Sequence, residues 1–209
     1  MLSLRPCVKL SFEPNPRFSG HNECMADEAA SQRESWWVLQ AQSGSHEALN
    51  ELFRSVQEPL FRYIVSLVRD QNLAEDILQE VFIRVYRKLR WLQEPKAFRA
   101  WAYQIASREA FRYLNRERRW TDQVRDEATL TALPATGHER EFPRELIESL
   151  PQLVGNLSPA SRAVVVLFYL HEMSLVETAA VLDIPLGTAK SRLAYGLESL
   201  RRNFKGMEK

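Results

Sequence analysis

Apolar residues recur along this chain at the spacing of helices rather than at the alternation of strands. Residues 74–89, AEDILQEVFIRVYRKL, place their apolar side chains on one broad helical face. The opposite face is polar around a single isoleucine and consists of Asp76, Gln79, Glu80, Ile83 and Arg87. An apolar residue at the centre of a polar face hints at a protein partner, although single exposed apolar residues are common.

A short helix, a tight turn and a second helix are predicted between residues 174 and 202. Ser174 and Glu177 have the spacing of a capping box, and Asp183 followed by Pro185 is predicted to end the first helix. The second helix is predicted to begin near residues 187–188. Its inner stripe is Ala189, Leu193, Leu197 and Leu200. Its outer side carries small, polar and basic residues, which are Thr188, Lys190, Ser191, Arg192 and Tyr195.

This arrangement is typical of a helix-turn-helix, in which the second helix enters the major groove and presents its first turns to base edges. An ordinary helical hairpin with a solvated basic face is the alternative interpretation.

Aromatic residues and arginines alternate through residues 98–120, FRAWAYQIASREAFRYLNRERRW. Bases stack on aromatic rings while guanidinium groups hold phosphates, so the segment fits single-stranded nucleic acid. Burial in the core explains each aromatic equally well, and the arginines could belong to a solvated helix end.

Composition along the chain divides it into four parts. Residues 1–33 contain prolines, mixed charge and no clear period, and are predicted to be a disordered tail. Residues 34–120 form a first helical domain, and the proline-, glycine- and acid-containing residues 121–143 form a linker. Residues 144–209 form a second helical domain. The predicted fold is all-α: two small helical domains joined by a flexible linker, the second containing the helix-turn-helix.

Two details of the first domain are also predicted from its pattern. Trp36 and Trp37 are expected in the core because large apolar side chains are usually buried. Gly44 interrupts the helical period, Ser45 is a candidate helix cap, and Pro59 is interpreted as the start of a further helix.

The net charge of +1 conceals a strong local segregation of charge. Residues 99–119 and 187–205 are clearly basic, whereas the intervening residues 120–149 are acidic. Two basic segments favour two contacts with a polyanion, because phosphate attraction depends on local charge.

Other classes of function find little support in the sequence. The two cysteines are both near the N-terminus, the four histidines are scattered, and no catalytic constellation, metal site or cofactor motif is evident. No apolar run is long enough to span a membrane and no signal peptide is apparent. We therefore expect a cytoplasmic protein that is not an enzyme, binds no cofactor and does not insert into membranes.

Three motifs, in order, resemble the extracytoplasmic-function (ECF) type of bacterial RNA polymerase sigma factors. They are AEDILQEVF at residues 74–82, the FRAW…IA-R run at residues 98–108, and IPLGTAKSRL at residues 184–193. The family pattern differs at two positions, since it usually has glycine where Asp183 stands and valine where Ala189 stands. The resemblance covers residues 36–204 apart from the linker.

The resemblance implies a promoter-specificity subunit that binds core polymerase through its β′ clamp helices and β flap, and promoter DNA as duplex and melted strand. The polar face of residues 76–87 would dock on the clamp helices. The outer residues 188–195 would read the minus-35 element. Residues implied to bind the minus-10 element are Trp91, Leu92, Gln93, Lys96, Trp101, Arg108, Arg112, Asn115, Arg116, Arg118 and Arg119. The linker would thread through the polymerase, and an anti-sigma factor is an expected partner.

Two rival functions remain at this stage. A stand-alone helix-turn-helix regulator would not need polymerase, but it leaves the polar face of residues 76–87 and the aromatic-rich segment unexplained. A protein-interaction adaptor with decayed DNA surfaces is disfavoured by the intact basic residues Lys190 and Arg192.

Overall fold

The structure is a computed structural model that describes residues 23–121 and 154–207. Its helices are α1 (Glu23–Gln42), α2 (His46–Val68), α3 (Gln71–Lys88), α4 (Phe98–Thr121), α5 (Pro159–Tyr169), α6 (Leu175–Leu182) and α7 (Leu186–Met207). Short 3-10 turns at Leu89–Trp91, Pro95–Ala97 and Val154–Asn156 complete the regular structure of these ranges, which contain no strand. The all-α prediction is confirmed. The predicted linker, after its first residue, lies outside the described ranges.

The first helix begins earlier than predicted and places its tryptophans differently. Helix α1 starts at Glu23, so the last part of the predicted tail is helical, while residues 1–22 are outside the described part of the chain. Val38 is fully buried, but Trp36 is 60% exposed and Trp37 is only half-buried. The expectation that both tryptophans lie in the core was therefore wrong for Trp36. Two residues correspond to about 200° of helix, which turns Trp36 away from the face that buries Val38.

Helix α2 runs without a break through Pro59, so the predicted helix start there was wrong. Proline in a helix interior costs about 3 kcal/mol, because it removes a hydrogen bond and crowds the preceding turn. The helix continues because it is the central element of the first unit and contacts α1, α3 and α4. Its buried face is Ala48, Leu52, Val56, Leu60, Tyr63, Ile64 and Leu67. Burial of this face outweighs the local cost, at roughly 1.5–3 kcal/mol for each large apolar side chain.

Several polar residues inside the first unit are paired by hydrogen bonds. The Ser45 and Asp70 side chains cap α2 and α3 by accepting from the backbone N–H groups of Ala48 and Leu73. The buried hydroxyls of Tyr63 and Ser107 lie 2.8 Å apart and hydrogen-bond to each other. Such pairing is what allows polar groups to lie in an apolar core without a large desolvation penalty.

The second unit contains the predicted helix-turn-helix, and its local signals are confirmed. The capping box of Ser174 and Glu177 is present in both directions. Asp183 adopts the left-handed conformation at φ 55°, which ends α6 and lets α7 leave at a new angle. Ala189 and Leu200 are fully buried and Leu193 nearly so, as predicted for the inner stripe.

The two units pack directly on each other through α2 with α5 and α4 with α6. Arg162 of α5 carries the first contact: its guanidinium donates to the carbonyls of Ser66 and Leu67 at the C-terminal end of α2, at 3.3 and 2.8 Å. The same guanidinium donates to three carbonyls of its own unit, those of Val154, Gly155 and Leu157. Unpaired carbonyls and the helix dipole make the end of α2 a favourable site for a cation.

A second contact is built around His171. Its ring lies edge-on to those of Tyr63 and Tyr103, and its Nδ1 is 2.8 Å from the Tyr103 hydroxyl. Burial, together with the positive charges of Arg62 and Arg99, lowers the pKa of His171 to about 4. The imidazole is therefore neutral at physiological pH, as an acceptor for the tyrosine hydroxyl requires.

We expect Gly196→Ala to destabilise the second unit. A Cβ at Gly196 would lie 2.8 Å from Cγ2 of Val165, a buried, stiff side chain, whereas a Cβ at Gly187 meets nothing within 4 Å. Both changes gain helix propensity, but only the first overpacks α5 against α7. Urea unfolding should show Gly196→Ala to be less stable than Gly187→Ala by about 2 kcal/mol. Equal stability of the two variants would show that α5 and α7 leave room for a methyl group at position 196.

We expect acid to destabilise the contact between the units through His171. The unfolded chain binds this proton at its ordinary pKa of 6.5 and the folded chain only near 4, so the free energy of unfolding falls as pH drops through that window. The full loss is about 3 kcal/mol. Urea unfolding between pH 7 and 4 should show it, and His171→Gln should flatten the profile. His46→Gln, at an exposed histidine, is the control and should leave the slope unchanged.

Candidate nucleic-acid interface

The outer side of α7 is accessible in its first two turns. Lys190 and Ser191 are exposed, and Tyr195 is 37% exposed. Thr188 is half-buried, and its carbonyl accepts a hydrogen bond from the Ser191 hydroxyl at 3.0 Å. Four of the predicted minus-35 residues, Thr188, Ser191, Arg192 and Tyr195, therefore share one side of α7 near its N-terminal end, whereas Lys190 lies about 160° around the helix from Arg192. The position of the four near the start of a helix suits insertion into a groove.

Arg192 differs from its neighbours because it is half-buried and its Nε has no hydrogen-bond partner among the described residues. That nitrogen is buried, so a bidentate contact of the kind that reads guanine in the major groove would have to use the two terminal nitrogens of the guanidinium.

The aromatic and arginine segment is one helix, α4, with two faces. Ala102, Ala106 and Ala110 are fully buried against the first unit. Residues 101, 108, 112 and 115 lie within about 60° of one another on the other side. Arg108, Arg112, Asn115 and Arg116 are exposed and Trp101 is half-buried against Phe98. Arg118 and Arg119 lie on the same helix, but their side chains are outside the described set.

The loop between α3 and α4 presents Trp91 and conceals Leu92. Trp91 is 60% exposed with the Arg90 guanidinium 3.9 Å above its ring, while Gln93 and Lys96 are also exposed. Leu92 is 8% exposed, so the structure buries a side chain that was expected to contact DNA. Its role is structural, because an apolar side chain in this loop is drawn into the core of the first unit. Gln42 of α1 fixes the loop by donating to the carbonyls of Leu89 and Leu92 at 2.9 and 2.8 Å.

The polar face of α3 is a coherent surface. Asp76, Gln79 and Arg87 are exposed, Glu80 is half-buried, and Ile83 is 44% exposed at the centre. Tyr86, at 59% exposure, belongs to the same surface and was missed by sequence reasoning. Its spacing of three residues from Ile83 was the signal that could have found it.

Sequence reasoning also missed two charged residues at the contact between α3 and α4, which are Arg84 of α3 and Glu109 of α4. Arg84 Nη2 lies 2.9 Å from Glu80 Oε1, and Arg84 Nε lies 2.9 Å from Glu109 Oε1. Glu109 Oε2 in turn lies 2.6 Å from Arg112 Nη2. The polar face of α3 and the arginine face of α4 are thus connected by a row of alternating charges.

Comparison with known proteins assigns both units. Residues 52–120 match Sigma-70 region 2, and residues 153–202 match Sigma-70, region 4. The chain is 30% identical to the ECF RNA polymerase sigma-E factor of Escherichia coli over 172 residues, which is 78% of this chain and 90% of that protein. It is 26% identical over 179 residues to the ECF RNA polymerase sigma factor SigW of Bacillus subtilis, covering 81% and 96% of the two chains. The chain belongs to the ECF sigma-factor family.

Solved structures of sigma factors share this fold. CnrH in complex with the cytosolic domain of CnrY superposes with a TM-score of 0.62 at 22% identity, covering 83% of this chain and 98% of CnrH. The sigma factor RpoE of Bartonella quintana, in complex with the anti-sigma factor NepR, gives a TM-score of 0.58 at 21% identity over 75% and 96% of the two chains. Membership in the family decides against a stand-alone helix-turn-helix regulator. Within the described ranges of this sigma factor, no helix is long and apolar enough to cross a membrane.

In this sigma factor the helix-turn-helix lies against the arginine face of region 2. Gln104 of α4 donates to the carbonyl of Ala180 in α6 at 3.2 Å. One turn further along, Arg108 Nη2 is 3.7 Å from Asp183 Oδ2 at the turn between α6 and α7. Both partners of this ion pair are well exposed, so the contact is weak and sensitive to salt. The described arrangement is therefore compact, with part of one candidate DNA surface facing the other unit.

Proposed function

We propose that this sigma factor acts through three surfaces: the outer side of α7 for the minus-35 duplex, α4 with its preceding loop for the minus-10 strand, and the polar face of α3 for core polymerase. The observation that carries the proposal is the exposure of Ile83 and Tyr86 on α3 beside the exposed arginines of α4. A protein that only binds DNA does not need such an apolar patch. A subunit that docks on polymerase and also holds DNA needs an apolar surface and a basic surface side by side.

Duplex recognition is assigned to α7 because its chemistry suits base edges. Arg192 offers the terminal nitrogens of a half-buried guanidinium, Ser191 offers a hydroxyl beside it, and Lys190 offers an exposed cation further around the helix. Forked donors distinguish guanine in the major groove, while a lysine ammonium supplies phosphate attraction that is largely independent of sequence.

Recognition of an opened strand is assigned to the loop and α4. The exposed ring of Trp91 provides a stacking platform, while Lys96 in the loop and Arg108, Arg112 and Arg116 along α4 provide exposed cations. Stacking on an aromatic ring contributes about 1–3 kcal/mol per base and requires the base to leave the duplex. Aromatic stacking therefore favours the melted form of the DNA.

Simultaneous reading of both promoter elements requires the two units to separate. Elements centred near minus-35 and minus-10 lie about 25 base pairs apart, which is about 85 Å along a duplex. Here Arg108 of one unit lies 3.7 Å from Asp183 of the other. We therefore propose that the compact arrangement is the free form and that assembly with polymerase draws the units apart.

The proposed place of action is the cytoplasm, where polymerase and promoter DNA are found. By analogy with relatives solved in anti-sigma complexes, an anti-sigma factor is the proposed inhibitory partner.

We expect Glu80→Arg to impair assembly with core polymerase, because it places a cation in an acidic and apolar docking face. Gel filtration of the purified chain with core polymerase should show co-elution of the wild type and a clear loss for the variant. Glu51→Arg, which alters an exposed glutamate of α2 away from this face, is the control. Wild-type behaviour of Glu80→Arg would remove the polar face of α3 from the docking surface. Failure of the wild type itself to co-elute or to direct run-off transcription would refute the proposed function.

We expect Arg192→Ala to weaken binding to a minus-35 duplex by about 1–3 kcal/mol and to relax the preference at one base pair. Lys190→Ala is the comparison, and should weaken binding to all sequences to a similar degree while lowering the salt dependence. Binding to a library of duplexes by the holoenzyme separates the two effects. An unchanged base preference in Arg192→Ala would exclude Arg192 from the reading set.

A further inference from the structure

Four charged side chains form an alternating row across the contact between α3 and α4. Glu80 and Arg84 belong to α3, and Glu109 and Arg112 belong to α4. The three ion pairs that join them span 2.6–2.9 Å. The ends of the row are exposed, with the Glu80 side chain 40% and the Arg112 side chain 66% accessible, but the Glu109 carboxylate between them is only 8% accessible. One buried carboxylate is therefore shared by two guanidinium groups.

The shared carboxylate makes the two arginines competitors. A buried carboxylate requires a compensating cation, so Glu109 must retain at least one of Arg84 and Arg112. Arg84 itself divides its charge between Glu109 and Glu80. When Glu80 is taken by another cation, Arg84 can turn fully to Glu109, and the hold of Glu109 on Arg112 weakens. When Arg84 is lost, Glu109 must hold Arg112 more firmly.

The contacts at the centre of the row are suited to exchange. Arg84 Nε and Glu109 Oε2 are at ion-pair distance from their partners, yet neither makes a hydrogen bond of good geometry with a described residue. These pairs are therefore held by charge more than by aligned hydrogen bonds. A small rotation can redistribute them at little directional cost.

We infer that Arg84 and Glu109 are positioning residues that hold Arg112 back in the free chain and release it to DNA phosphate when a cation of the polymerase pairs with Glu80. This inference rests on the proposed roles of the α3 and α4 surfaces and adds a link between them. Docking at one surface changes the charge available at the other without any movement of the backbone. Arg112 is 66% exposed and lies on the arginine face, so its released guanidinium can reach a strand that lies there.

Single-strand binding by the full-length free chain tests the link, with a fluorescent oligonucleotide at low salt. Glu80→Gln mimics the capture of Glu80 and should tighten binding roughly two- to fivefold, the range of an exposed ion pair. Glu75→Gln removes the same charge from an exposed position of α3 and corrects for the general change in net charge. Arg84→Gln should weaken binding beyond Lys88→Gln, its exposed charge-matched control. Introduced into the Arg84→Gln background, Glu80→Gln should have no more effect than Glu75→Gln.

A direct readout is the side-chain Nε–Hε signal of Arg112 in NMR spectra of the same variants. Glu80→Gln should make this group more mobile and Arg84→Gln less mobile, with Glu109→Asp close to the wild type because the carboxylate is kept. A purely structural role for Arg84 and Glu109 would change thermal stability but not produce opposite changes at Arg112. Identical Arg112 mobility in Glu80→Gln and Arg84→Gln would overturn the inference.

The two levels of proposal fail separately. If the chain assembles with core polymerase but the four variants bind DNA in proportion to net charge alone, the link is refuted and the proposed function stands. If the wild type does not assemble with polymerase, the proposed function is refuted, while the opposite NMR changes would still establish the competition for Glu109.

Discussion

The packing of the two units of this sigma factor depends on the position of the Arg162 guanidinium. It donates to carbonyls of both units and is 6% exposed, with no carboxylate among the acceptors to which it donates. Burial lowers the pKa of Arg162 from its ordinary value, and the nearby charge of Arg69 acts in the same direction. An arginine nevertheless remains charged, so its burial must be compensated by these carbonyls and by the negative end of the α2 dipole.

This contact determines which surfaces of the two units meet. With α5 fixed at the end of α2, α6 is brought onto α4, and the turn at Asp183 comes to lie beside Arg108. The same hydrophobic cluster continues through both units, yet several of the specific contacts across the boundary are polar: Arg162 to backbone carbonyls, Tyr103 to His171, and Gln104 to Ala180. Polar groups regain hydrogen bonds with water when they separate, so such a boundary opens at lower cost than an apolar one of equal area.

Sequence reasoning succeeded where the signal is local. The capping box at Ser174, the left-handed turn at Asp183 and the polar face around Ile83 each arise from residues within one or two turns of each other, and each is confirmed. It failed where distant packing decides the outcome. Pro59 remains inside α2 because the other three helices of the first unit pack against that helix, and Leu92 is buried because α1 fixes its loop. Neither fact is encoded in the neighbouring residues.

The residues that connect surfaces were the hardest to predict. Neither Glu109, which lies within a run of arginines, nor Arg162, which lies beside an apolar run, was singled out from the sequence. Their importance comes from burial, which converts a modest surface charge into a group that must be compensated by specific partners. Different faces of α4 can therefore have different roles: its alanines pack in the core, its exposed arginines are proposed to bind a DNA strand, and Glu109 pairs with α3. Because these residues share one helix, the proposed link between the α3 side and the proposed DNA side requires no change of fold.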